Sequence, residues 1–171
     1  MWDPSLLKFD TVCFLDADTI ILKNIDHIFN YVIGNTDTRI SNNHQAIFAA
    51  APDIGWPDCF NSGVFVMKPD KKVYDALISF ASTRGSFDGG DQGLLNSFFS
   101  TWASGETLDG VPPSSRLPFT FNVTPSTVYS YLPAYKEFFN DIQVVHFIGT
   151  RKPWRMTRNS NGNLTMTYFY I

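Results

Sequence analysis

Cysteine is scarce in this chain of 171 residues, with only Cys13 and Cys59 present. Two thiols cannot staple a small scaffold, and such sparing use fits a reducing compartment. Long apolar runs are missing as well, since no stretch approaches the ~18 residues that suggest a membrane span. Met1 is followed by Trp2, Asp3 and Pro4 rather than by the basic and apolar regions of a leader. The expected address is therefore cytoplasmic, with no membrane partner. Charge of one sign is also lacking: 13 Lys and Arg against 16 Asp and Glu leave a formal charge of −3. Without a basic field a polyanion is not held, so nucleic acid is not an expected partner. Two sequons, Asn122-Val123-Thr124 and Asn163-Leu164-Thr165, are tripeptides that arise often by chance and carry no weight here. What is plentiful is hydrophobic side chain, 44% of residues with 16% aromatic, enough for one folded domain with a sizeable core.

Short apolar runs punctuated by turns dominate the first half. Residues 11–15 read Thr-Val-Cys-Phe-Leu and end abruptly in Asp16-Ala17-Asp18, as a buried strand does at a site. Residues 47–51 and 63–67 are further strand candidates, closed by Pro52 and Pro69. Val73, Leu77, Phe80 and Ala81, and then Leu94, Leu95, Phe98, Phe99 and Trp102, recur at helical spacing and predict two amphipathic helices. Residues 142–147 supply another strand, and the polar stretch 34–45 reads as an exposed loop or insertion. Strands interleaved with helices make an α/β domain.

Several residue groups offer chemistry. Asp16 and Asp18 stand two apart, so an extended backbone would aim both carboxylates to one side, where they can hold a hard divalent cation. Oxygen donors suit Mg²⁺ or Mn²⁺, and His146 as a third ligand tilts the choice to Mn²⁺. Taken alone, Asp-x-Asp also reads as a polar turn and His146 as a hydrogen-bonded core residue. Asp88-Gly89-Gly90-Asp91-Gln92 gathers carboxylates and an amide at the start of a helix, fit either for polyhydroxyl recognition or for ordinary helix capping. Lys152, six residues after His146, could neutralise a phosphate or simply be solvated.

Together these pieces carry a resemblance. Phe14-Leu15-Asp16-Ala17-Asp18-Thr19, the string Asp58-Cys59-Phe60-Asn61-Ser62-Gly63-Val64-Phe65-Val66, the string Phe87-Asp88-Gly89-Gly90-Asp91-Gln92-Gly93, and Val144-Val145-His146-Phe147-Ile148-Gly149 with Lys152-Pro153-Trp154 stand in one order. The set resembles the glycogenins, which are retaining enzymes of glycosyltransferase family 8, over nearly all of residues 6–154. The resemblance implies an α/β fold of the GT-A type, a Rossmann-like nucleotide-diphospho-sugar transferase, as a catalytic domain over residues 1–154 with a C-terminal tail over 155–171.

The activity that the resemblance implies is self-glucosylation: glucose passes with retention from UDP-glucose to a tyrosine of the enzyme and then to a growing α-1,4-glucan, priming glycogen. Asp16, Asp18 and His146 match the Mn²⁺ ligands. Ala17, Asn61, Ser62, Asp88, Asp91, Gln92, Gly149 and Lys152 match donor-binding positions, with Asp91 the catalytic candidate, as nucleophile or as stabiliser of an oxocarbenium-like state. Tyr129 matches the glucosylated tyrosine. A homodimer is the implied assembly; residues 155–171 do not resemble the segment that recruits glycogen synthase, so that partner is not inferred. The family's strand, helix and second strand that form much of the uridine pocket precede the Asp-x-Asp strand, where this chain has residues 1–10, and the expectation is an N-terminally truncated domain. A second expectation is a catalytically weak partner or acceptor of a full-length glycogenin.

Overall fold

The computed structural model describes residues 2–33, 46–56, 58–106, 108–124, 131–150 and 152–155. The stretch 34–45 and Tyr129 lie outside them.

The strand with the most apolar sequence organises the rest. β4 (Phe60–Met67) is buried along its whole length, between β1 (Val12–Leu15) and β3 (Phe48–Pro52), both antiparallel to it. β5 (Ser114–Arg116) adds to β3 in parallel, so the order is β1-β4-β3-β5. Because side chains alternate across a strand, Phe65 and Met67 enter one core and Val64 and Val66 the other. The first core also holds Phe48, Phe99 and Trp102, whose indole Nε1 donates to the Ala50 carbonyl at 3.1 Å. It is covered by α2 (Lys71–Arg84) and α3 (Asp91–Phe98). Asp70 caps α2 by accepting from Val73 N at 3.0 Å, and Val73 and Leu77 face inward as their spacing predicts. The second core is closed by the 3₁₀ turn Asp26–Phe29, by α1 (Asn30–Ile33) and by Leu117 and Phe121.

Two departures from the sequence reading position the site. Asp16 and Asp18 are not on an extended strand: β1 stops at Leu15, and a turn follows in which the Thr19 amide and hydroxyl both donate to the Asp16 carbonyl. A new strand, β2 (Thr19–Ile21), starts at once and pairs antiparallel with β6 (Val144–His146), with Thr19 opposite His146. The β4 ladder is irregular too. Ala50 pairs with Phe65 but Pro52 pairs with Phe60, so Asn61, Ser62, Gly63 and Val64 are spanned on the partner strand by Ala51 alone. An interruption of this kind frees polar groups beside a site. Helix α4 (Leu132–Phe138) opens on a Leu-Pro pair and leads back to β6.

Candidate functional site

The site lies where three loose ends of the sheet meet. The turn after β1 brings Asp16 and Asp18, the interrupted part of β4 brings Asn61, Ser62 and Gly63, and the end of β6 brings His146, Ile148 and Gly149. With Asp91 and Gln92 from the first turn of α3 they line a cleft of about 300 Å³. The pairing of β2 with β6 sets the metal-type group: the Phe147 amide donates to the Asp18 carbonyl at 2.8 Å, which fixes His146 against the Asp-x-Asp turn. His146 Nε2 is 3.2 Å from Asp18 Oδ1 and 3.4 Å from Asp16 Oδ2. One ligand atom from each of the three residues falls within 4.8 Å of the others.

This arrangement fits a cation. Both carboxylates are reachable from solvent while the imidazole is buried at 3% exposure. With Nε2 unprotonated, its lone pair would face two carboxylate oxygens, a repulsive cluster that a divalent ion converts into an attractive one. The donor set, two oxygens and one imidazole nitrogen, suits Mn²⁺ better than Mg²⁺. The carboxylates are themselves unequal. Burial pushes Asp16 above the ordinary carboxylate range; Lys152, and His146 in its charged form, oppose the rise, and the charges of Asp18 and Asp91 add to it. Burial acts upward on Asp18 also, but the hydrogen bond from Lys152 and the cationic forms of His146 and Lys152 outweigh it, and Asp18 ends below its usual value. Lys152 donates to Asp18 Oδ2 and to the Phe147 carbonyl, so its charge sits at the edge of the metal-type group.

Gly63 is required by this closeness. A Cβ there would lie 2.1 Å from His146 Cε1, 2.6 Å from Nδ1 and 2.9 Å from Asp16 Oδ2. Only a residue without a side chain lets β4 pass under the histidine. Gly149 has φ +82°, left-handed backbone that glycine adopts without strain, at the rim of the cleft.

A hydrogen-bonded floor joins the polar residues. Gln92 Oε1 accepts from Ser62 N at 3.2 Å, and its amide nitrogen reaches Asp53 Oδ2 at 3.5 Å. Asn61 Nδ2 donates to the same Asp53 oxygen at 3.3 Å. Asn96 clamps the start of β4 to α3, accepting from Phe60 N and donating to Phe60 O, each at 2.9 Å, and donating to the Gln92 carbonyl. Asp88 is turned to its own loop: Oδ1 accepts from Ser86 Oγ at 2.7 Å and Gly90 N at 2.8 Å, and these bonds hold its carboxyl below the ordinary range.

Of the residues singled out in the sequence, Asp16, Asp18, Asn61, Ser62, Asp91, Gln92, His146 and Gly149 line the cleft. Ala17 is exposed at the tip of the Asp-x-Asp turn, and Asp88 and Lys152 stand beside the cleft rather than in its lining. Asp53, Asn96 and Asn122 were missed. Asn122 sits in a segment whose one sequence signal, the sequon, points to an exposed asparagine, yet it is 5% exposed with its Nδ2 donated to Asn61 Oδ1 at 2.9 Å.

The chain is thus an α/β domain with a mixed sheet, its polar cleft at the strand ends and a carboxylate–carboxylate–imidazole group within it. Solved structures share the fold: the apo form of glycosyltransferase GlyE from Streptococcus pneumoniae TIGR4 matches with a TM-score of 0.57 over 95% of this chain and 39% of that one, at 22% identity. The galactosyltransferase LgtC, solved with donor and acceptor sugar analogs, matches with a TM-score of 0.55 over 91% of this chain and 58% of that one, at 17% identity. The sequence model of glycosyl transferase family 8 matches residues 3–158, and the chain belongs to that family.

Within the family the similarity is to glycogenins. Glycogenin-1 of Mus musculus is 46% identical over 155 residues, covering 91% of this chain and 40% of that protein. Glycogenin-2 of Homo sapiens is 43% identical over 155 residues, covering 91% of this chain and 27% of that protein. The chain thus spans well under half the length of these curated relatives. Among the described residues, no helix is long and apolar enough to cross a membrane.

Proposed function

We propose that this protein is a glucosyltransferase of glycogenin type, which transfers glucose with retention from UDP-glucose to its own Tyr129 and then to the growing α-1,4-glucan. The observation that carries this reading is the convergence of Asp16, Asp18 and His146 in one cleft with Asn61, Ser62, Asp91 and Gln92. Mn²⁺ is the proposed cofactor, held by Asp16, Asp18 and His146. When bound it supplies Lewis-acid stabilisation of the charge that develops on a departing diphosphate.

The chain's own residues do the rest. Lys152, already directed at the Asp18 edge, adds a point charge for the same phosphate oxygens. Gly149, without a side chain, allows the diphosphate to approach the backbone. The remaining N–H groups of Asn61 and Gln92 are offered to the sugar hydroxyls, and the bonds of both amides to Asp53 orient them. Asp91, at the first turn of α3 where the helix N-terminus favours an anion, is the carboxylate proposed beside the anomeric carbon. There it either attacks as a nucleophile, displacing UDP to form a glycosyl ester that the acceptor hydroxyl then displaces, or stabilises an oxocarbenium-like state while the acceptor enters on the face from which UDP departs. A homodimer and the α-glucan primer are the proposed partners, and the cytoplasm the proposed location.

The test is intact mass of the purified chain after incubation with UDP-glucose and Mn²⁺, followed by peptide mapping. Stepwise hexose additions that start at Tyr129 are expected, absent in Tyr129→Phe and in Asp91→Ala. A folded chain that adds no hexose to itself, but accepts it from a full-length glycogenin, would replace this reading with that of a partner or acceptor.

A further inference from the structure

We propose that Asn122 is a positioning residue that fixes the tautomer of His146, so that Nδ1 carries the proton and Nε2 presents its lone pair to the Asp16–Asp18 pair. The value of this for cation capture rests on the metal centre proposed above; the tautomer itself does not. A chain of three hydrogen bonds carries the inference, and a single backbone group sets its direction. Gly63 N–H, which can only donate, points at the side-chain oxygen of Asn61 at 3.0 Å. That atom of Asn61 is therefore the acceptor, Oδ1. The second group directed at it, from Asn122 at 2.9 Å, must be the donor Nδ2. The other end of the Asn122 amide is then Oδ1, and it lies 3.0 Å from His146 Nδ1. An oxygen can only accept, so Nδ1 carries the hydrogen, and in the neutral ring Nε2 is left with its lone pair.

All three side chains are buried, with Asn61 at 8% exposure, Asn122 at 5% and His146 at 3%. Reversal of any one amide would set two donors or two acceptors face to face without water to relieve them, a cost of roughly 1–3 kcal/mol for each unsatisfied group. Asn122 itself is held by the backbone around it. Its own amide donates to the Phe119 carbonyl at 2.9 Å, and Val123 bridges to β6, donating to Val144 O and accepting from His146 N. The segment is thus laid alongside the strand that bears the ligand. A hydrogen-bond partner behind a ligating imidazole fixes ring orientation and raises its basicity, and loss of such partners typically weakens metal binding about 10- to 100-fold.

Two variants separate this role from mere filling of space. Asn122→Asp keeps an acceptor for Nδ1–H but loses the donor to Asn61; Asn122→Leu keeps the approximate shape and loses both. ¹⁵N shifts of the His146 ring in the metal-free native chain, recorded at a pH where those shifts themselves show the ring to be neutral, are expected to show Nδ1–H. The same pattern is expected in Asn122→Asp, and a mixture of tautomers in Asn122→Leu, with ¹⁵N–¹H backbone spectra showing that each variant is folded. In parallel, Mn²⁺ affinity measured by electron paramagnetic resonance should fall about 10- to 100-fold in Asn122→Leu and much less in Asn122→Asp. An Nε2–H tautomer in the native chain, or an unaltered tautomer in Asn122→Leu, overturns the proposal. A structural role alone predicts the reverse order of affinities, because a buried carboxylate disturbs the fold more than leucine does. If the tautomer responds as expected but the native chain binds no Mn²⁺, the metal centre fails and the assignment of Asn122 stands.

Discussion

Replacing Gly63 with alanine adds one methyl group where β4 passes beneath His146. That Cβ would stand 2.1 Å from His146 Cε1, a distance that real contacts do not show, with Asp16 Oδ2 at 2.9 Å on the same side. The imidazole has no easy retreat. Its backbone is paired to β2 and to Val123, its Nδ1 is bonded to Asn122, and it is 3% exposed. Overpacking of this kind costs about 1–3 kcal/mol. For a chain of this size each kcal/mol lowers Tm by about 2–4 °C, so a loss of roughly 2–12 °C is expected. The ring that escapes carries Nε2 away from the carboxylates, and Mn²⁺ affinity should fall by at least ~10-fold. Differential scanning calorimetry and Mn²⁺ titration of Gly63→Ala read both effects. Native Tm together with native Mn²⁺ affinity would refute the reasoning, since the strand would then not lie against His146.

Other expectations follow from the same contacts. Trp102→Ala removes a buried indole and its bond to the Ala50 carbonyl, so a loss of about 3–5 kcal/mol is expected in urea unfolding, and less than ~1 kcal/mol would contradict its place in the core. Cys13 is half-buried in β1, and desolvation pushes its thiol up to about 11; mass mapping after iodoacetamide near neutral pH should find Cys13 modified far more slowly in the native chain than on unfolding. Asp88 has its carboxyl held below the ordinary range by Ser86 and Gly90. Its contribution to stability is therefore complete above the usual pKa of ~3.9 and fades as pH falls through the lower folded value. Asp88→Ala should accordingly be slightly less stable than the native chain at neutral pH, the gap closing in acid; a gap that widens in acid would reverse the assignment.

Much of this was legible in the residues, and what was not has physical reasons. The run 63–67 is apolar enough to read as a strand, but β4 begins at Phe60, and its polar members Asn61 and Ser62 line the cleft. The spacing of Val73 and Leu77 gave α2 directly, since one face of that helix meets the core. Asp16 and Asp18 were legible as a pair, yet the geometry that joins them is a turn, not the alternation of a strand; Thr19-Ile20-Ile21, a β-branched run just after it, was the overlooked signal for β2. Asp53 and Asn122 are bonded to side chains of the cleft. Nothing local in sequence distinguishes such residues, because their partners, Asn61, Gln92 and His146, are distant along the chain.

Calorimetric titration of the native chain with UDP-glucose, with and without Mn²⁺, bears most directly on the cleft as a metal-dependent donor site. Saturable binding that requires Mn²⁺ and is lost in Asp18→Asn is the predicted result. Binding of equal strength without the metal, or none with it in a folded chain, would contradict the account.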